Sequence, residues 1–157
     1  MAEHFFEVSV EWTGNAGVGT SGYKNYRRDN EVAAEGKQLI EGSADKAFHG
    51  DRSRWNPEEL LIAALSQCHM LSFLHVASAA GVVVESYRDE ASGTLALNAE
   101  GGGNMTEVTL RPKITISAGN ELLVPGLHAR ASELCFIANS VNFPVNHEPA
   151  WEVIPSP

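Results

Sequence analysis

Between Leu60 and Val76 the chain carries Leu60, Leu61, Ile62, Leu65, Met70, Leu71, Phe73, Leu74 and Val76, which cover most of a helical circumference. The start of this segment is well marked. Asn56 is a favourable N-cap, Pro57 suits the first helical position, and Glu58 and Glu59 complement the positive end of the helix dipole. Asn56 with Glu59 three residues on also resembles a capping box. The pattern predicts a helix running to about Ala80, where Gly81 can stop it, with a length of roughly 36 Å. A helix apolar on nearly all sides must be enclosed on nearly all sides. A chain of 157 residues would struggle to do that alone, so a dimer with this helix near its centre is expected.

The flanking segments read as strands. Phe6, Val8, Val10 and Trp12 alternate with polar residues, a half-buried strand pattern over residues 4–12. Further strands are expected at 23–33, 37–41, 82–89 and 92–98, and one long strand at 106–117, which Pro112 assigns to an edge or a bulge. The Gly101-Gly102-Gly103 cluster marks a turn, a second helix covers 121–139, and a last strand lies around 150–154. Strands, long helix, strands, helix, strand is an α+β order without the regular alternation of a doubly wound sheet. No repeat or linker divides it, so residues 1–157 are read as one domain.

Charge narrows the partners. Twenty acidic against eleven basic side chains give a net charge of −9, which argues against nucleic acid and anionic membrane surfaces. The segment Met1–Glu7 lacks the basic and apolar regions of a secretory signal, and Gln67, His69 and His75 interrupt the apolar helix, against a bilayer span. A cytoplasmic location is expected.

Two cysteines, Cys68 and Cys135, are too few for a disulfide-framed scaffold and pose a question about chemistry. Free cysteine is also a small hydrophobe, and packing alone would account for either. Cys68 lies far into the helix, where the dipole gives a thiolate no help. A reactive Cys68 therefore requires a borrowed cation, with Arg27, Arg28, Arg52 and Arg54 as upstream candidates. Cys135, on the second helix, is open to two readings, packing alone or meeting Cys68 in a redox cycle. Zinc is the competing use of the thiols with His69, His75 and His128. The spacing is poor: Cys68 and His75 stand two turns, roughly 10 Å, apart, whereas a zinc ligand lies within about 2.3 Å of its ion. No metal site is expected, and the histidines read as satisfied polar positions at the rim of the core. Gly17-Val18-Gly19-Thr20-Ser21-Gly22 spells a dinucleotide fingerprint, but Tyr23-Lys24-Asn25-Tyr26 does not open a helix after it, so no nucleotide cofactor is expected. No G-x-S-x-G elbow is present.

The run Asn56-Pro57-Glu58-Glu59-Leu60 through Ser66-Gln67-Cys68-His69-Met70 resembles the central-helix motif of the OsmC/Ohr superfamily. Tyr26-Arg27-Arg28-Asp29, Gly42-Ser43-Ala44-Asp45 and the Cys135 segment fall in the expected order, nearer the OsmC-like branch. The resemblance implies an OsmC-like fold, with antiparallel sheets around a long central helix in an intertwined homodimer. It also implies thiol-dependent reduction of peroxides, organic hydroperoxides above all, with an external dithiol as reductant and no cofactor. Carried onto this chain, Cys68 is the peroxidatic thiol and Cys135 the resolving one. Arg28 stabilises the thiolate, with Arg27 as the adjacent alternative, and Glu58 is its partner. Many members carry proline after the second cysteine, where this chain has Phe136-Ile137. The other class of function open to the same residues is a non-catalytic dimer that binds a small ligand in an apolar interface pocket.

Overall fold

The computed structural model describes residues 2–155; Met1 of the N-terminal segment and Ser156-Pro157 lie outside it. The described residues form two compact units, divided between Leu60 and Leu61.

In the first unit, β1 (Ser9–Trp12), β2 (Asn30–Ala33) and β3 (Ile40–Gly42) form an antiparallel sheet in the order β1-β2-β3. These strands are shorter than the sequence pattern suggests. The segment before β2 is held instead as a loop, in which Thr13 N–H donates to the Asp29 carbonyl and Arg27 N–H to the Gly14 carbonyl, both at 2.9 Å. Gly14 allows this close approach, because a Cβ there would overlap the Arg27 carbonyl. The half-buried reading of residues 4–12 does not hold within the chain: Phe6, Val8, Val10 and Trp12 are all exposed. The alternating pattern is real, but no layer of this unit covers that face.

The long helix α1 spans Pro57–Ala79. Its start is the capping box read from the sequence: Glu59 N–H donates to Asn56 Oδ1 at 2.8 Å, and Asn56 N–H donates to Glu59 Oε2 at 3.3 Å. Gly81, at φ 72°, follows its end. α1 is long and apolar enough to cross a membrane by length and composition only, a test that the core helix of a soluble protein also passes. Its buried residues are Leu65, His69, Phe73 and Ala77, a stripe repeating every four residues, while Leu71 is 57% exposed.

In the second unit, β4 (Val83–Asp89) and β5 (Ser92–Leu97) run out, and β6 (Gly103–Leu110) and β7 (Pro112–Ala118) run back. The turn between them is closed by Asn98, whose Oδ1 accepts from the N–H groups of Glu100 and Gly102 at 3.0 and 2.9 Å. The single strand expected over 106–117 is two strands broken at Arg111, with Pro112 opening the second, where its missing N–H interrupts the ladder. The last strands, β8 (Val145–His147) and β9 (Ala150–Val153), join β6 and β7 in parallel. The expected antiparallel pairing holds for the first sheet and for β4 with β7 and β5 with β6, while the parallel β8 and β9 make the sheets β4-β7-β9 and β5-β6-β8 mixed. A parallel return needs a long crossover, and residues 119–144 supply it.

That crossover contains α2 (Val124–Leu134), shorter than the helix expected over 121–139. A 3₁₀ turn at Glu121–Leu123 precedes it, and another at Ala138–Ser140 follows. The reason is that two apolar clusters must be served. Val124 and Ala131 pack with Phe73, Ala77, Ile114 and Ile116, whereas Ile137 and Ala138 pack with Leu65, Val108 and Leu110. A continuous helix would not deliver both sets, and the chain changes direction at Cys135.

Candidate functional site

Cys68 projects from the middle of α1 and is half-buried; Cys135 is buried and, contrary to the sequence reading, stands at the C-cap of α2 rather than within a helix. The Cys135 backbone is extended, at φ −72° and ψ 105°. Its Sγ accepts a hydrogen bond from Ala138 N–H at 3.4 Å, and its carbonyl accepts from Asn139 N–H at 3.0 Å. The two thiols are neighbours, near enough for Cys68 to act on the Cys135 thiol. Burial pushes the Cys135 thiol up to about 11, the neighbouring Cys68 adds to this, and the Ala138 N–H opposes it. Cys135 is thus a protonated thiol at neutral pH, held against a more accessible sulfur. Such a pair is arranged to close into a disulfide once the accessible sulfur is oxidised.

Around these thiols lies a cluster that the sequence reading missed. His69 Nε2 and His128 Nδ1 share a hydrogen bond of 3.0 Å, with both side chains buried. The His128 ring also stacks on Phe73 at 4.1 Å, and the His147 ring lies 4.3 Å from that of His69. His69 Nδ1 and His128 Nε2 have no hydrogen-bond partner within the chain. Burial, followed by the neighbouring imidazoles, lowers His69 to about 3; burial and His147 lower His128 to about 4. These two histidines are therefore neutral, buried and half-satisfied, and the expectation of satisfied residues at a rim is corrected. The signal was present in the sequence: His69 falls in the four-residue repeat of Leu65, Phe73 and Ala77, and His128 in the stripe of Val124, Ala131 and Cys135. His75, by contrast, is exposed. Among the described residues no group of histidine, cysteine and carboxylate side chains is placed to hold a metal ion.

Close by, Asp89 ends β4 and uses both carboxylate oxygens. Oδ2 accepts from the Ser66 hydroxyl of α1 and Oδ1 from the Arg111 N–H, each at 2.6 Å. This one side chain joins the helix to the break between β6 and β7.

The first unit carries Arg28 and Glu58. The Arg28 guanidinium lies between the rings of Tyr23 and Tyr26, at 4.5 and 4.1 Å from their centroids. It donates to the carbonyls of Tyr26 at 2.6 Å and Tyr23 at 2.7 Å. Arg28 and Glu58 line one hollow of about 350 Å³ with Trp12, Tyr26, Phe48 and Pro57. They form no ion pair with each other. Arg27 is placed differently, exposed and paired with Asp29 at 2.9 Å. Of the two adjacent arginines, Arg28 faces the hollow.

Comparison with known proteins bears on what this arrangement does. The family model described as OsmC-like protein matches residues 49–149. An OsmC-like protein of unknown function from Vibrio cholerae has 34% identity and a TM-score of 0.83, over 96% of this chain and 100% of that one. An organic hydroperoxide resistance protein from Elizabethkingia anophelis, at 18% identity, shares the fold with a TM-score of 0.68, over 98% of this chain and 100% of that one. The uncharacterized protein YmaD of Bacillus subtilis is 22% identical over 145 residues, 90% of this chain and 89% of its own length.

Proposed function

Because the chain belongs to the OsmC-like family, we propose that it is a thiol-dependent peroxidase that reduces organic hydroperoxides through Cys68 and Cys135. The observation that carries this reading is that the two thiols are neighbours, one half-buried and one buried and protonated. In the first step the Cys68 thiolate attacks the distal oxygen of ROOH. The O–O bond breaks, Cys68 becomes a sulfenic acid, and the alkoxide takes a proton and leaves as ROH. In the second step the Cys135 sulfur attacks the Cys68 sulfur; a disulfide forms, and the hydroxyl leaves as water with the Cys135 proton. An external dithiol then takes the disulfide's place as the oxidised partner and restores both thiols. That last requirement suits a reducing compartment such as the cytoplasm.

Arg28 is the group we assign to stabilising the Cys68 thiolate and the charge that develops on the departing oxygen, with Glu58 as its partner. The aromatic and apolar walls of the hollow that holds Arg28 and Glu58 suit a hydroperoxide with an alkyl or aryl tail. A homodimer is part of the proposal. The helix α1 is apolar around its circumference yet buries a single stripe, and Val8, Val10 and Trp12 leave one face of β1 uncovered. Both surfaces call for a second copy.

The test is a thiol count before and after one equivalent of cumene hydroperoxide. Loss of two thiols per chain, abolished in Cys68→Ser, is expected. Unchanged thiols in the wild-type protein would overturn the reading and favour a non-catalytic dimer that binds a small ligand in the aromatic hollow; full turnover in Cys68→Ser would overturn the assignment of Cys68.

A further inference from the structure

The thiols stand at mismatched places. Cys68 sits on a regular helix, whereas Cys135 sits where a helix has just ended. A chain that changes direction at Cys135 does not by itself fix that sulfur against Cys68. Something must hold α2 at the right level on α1. The Val124, Ala131 and Cys135 stripe supplies apolar contact, but apolar contact is non-directional and tolerates sliding. His69 Nε2 on α1 and His128 Nδ1 on α2 share a directional contact between the two helices, a hydrogen bond of 3.0 Å. His69 follows Cys68 directly on α1. His128 precedes Cys135 by seven residues, close to two helical turns, and so lies on the same face of α2. Phe73 stacks on the His128 ring, with the centroids 4.1 Å apart.

We propose that His69 and His128 are positioning residues for the thiol pair: their hydrogen bond sets the level of α2 on α1 and so holds Cys135 against Cys68. The inference deepens the proposed function and rests on it for the use to which the pair is put. It needs no step beyond that reaction. Cost argues for a purpose, since both imidazoles are buried, kept neutral, and each leaves a nitrogen without a partner. An apolar pair of similar size would pack at least as stably in the same place. What a shared proton adds is direction: the bond weakens steeply once the rings slip from 3.0 Å, so it selects one level out of several.

The consequence is read in the equilibrium between the two thiols and their disulfide, which depends on how closely the sulfurs are held. The full-length protein is equilibrated in dithiothreitol redox buffers, and the Cys68–Cys135 disulfide is quantified by alkylation and peptide mapping. In His69→Leu, His128→Leu and the double variant, the effective concentration of one thiol toward the other is expected to fall about tenfold, an upward shift of roughly 30 mV in reduction potential. The double variant leaves no orphaned partner, so a merely structural role predicts that it recovers; positioning predicts that it does not. His128→Asn places a polar atom near the site of Nδ1 and is expected to restore the wild-type value, whereas His128→Gln places one near Nε2 and is not. This pair decides the matter even if the leucine variants fail to fold. Wild-type behaviour in the folded leucine variants, or equal values for Asn and Gln, would overturn the positioning role and leave the proposed function standing. Absence of any disulfide in the wild-type protein would overturn both.

Discussion

Cys135 caps α2 as the neighbour of Cys68 on α1, with the Cys135 sulfur buried and held as a thiol and Cys68 the more accessible of the two. This division of labour predicts what separation of the steps will show. In Cys135→Ser, Cys68 should be oxidised once by an organic hydroperoxide and stop as a sulfenic acid, trapped by a dimedone-type probe and seen as one adduct per chain by mass spectrometry. A second turnover without added thiol would contradict the assignment.

The two arginines that adjoin in sequence part company in space, Arg27 to Asp29 and Arg28 to the aromatic hollow. Arg28→Ala should lower kcat/KM for cumene hydroperoxide about a hundredfold, in the range expected for loss of a donor to developing negative charge. Arg28→Lys should restore little, because the clamp of two tyrosine rings and two carbonyls suits a planar fork. Arg27→Ala should stay within about twofold of wild type. Steady-state kinetics on the three variants decides between the arginines.

Acid should weaken the second unit before it protonates the native histidines. His69 and His128 have values of about 3 and 4 when folded, against an ordinary value near 6.5 when unfolded. His147 is lowered in the same direction by burial, with Asp89 opposing. The unfolded chain therefore binds more protons between pH 6.5 and 4, and stability falls as pH drops through that window. Urea unfolding at pH 7 and pH 4.5 should show the loss, and His69→Leu/His128→Leu should reduce it. A wild-type protein as stable at pH 4.5 as at pH 7 would contradict the buried neutral state.

The helix start offers a stability test apart from the chemistry. Asn56 and Glu59 exchange two hydrogen bonds at the end of α1, and Asn56 is buried. Asn56→Ala should cost about 1 kcal/mol by denaturant unfolding. Asn56→Ser should recover most of it, since a serine oxygen reaches the same N–H.

Where local chemistry decided the structure, the sequence was legible. Asn56, Pro57 and Glu59 announced the start of α1 within a residue, because capping depends only on neighbours. Gly101 and Gly102 likewise marked their turn, whereas Asn98, whose side chain closes it, read as the end of a strand. Where distant packing decided, the reading slipped. Cys135 looked helical because Leu127, Ala131, Leu134 and Ile137 keep a helical period, yet the demands of two separate apolar clusters break the helix there. The histidine pair was missed for a related reason: His69 and His128 are 59 residues apart, and nothing local says that they touch. The thiol partners were named by family resemblance and their proximity by geometry; neither alone described the pair.

Asp89 ties the second unit together over short stretches of chain. Its partners, Ser66 and Arg111, lie 23 and 22 residues away on either side, so the clasp closes over short loops. β4 and β7 pair antiparallel across 23 to 35 residues, and β8 and β9 join β6 and β7 in parallel across 37. Cys68 and Cys135 lie 67 residues apart. A Cys68–Cys135 disulfide would therefore close a longer loop than any of these pairings, and the entropy it removes from the unfolded chain grows with that length.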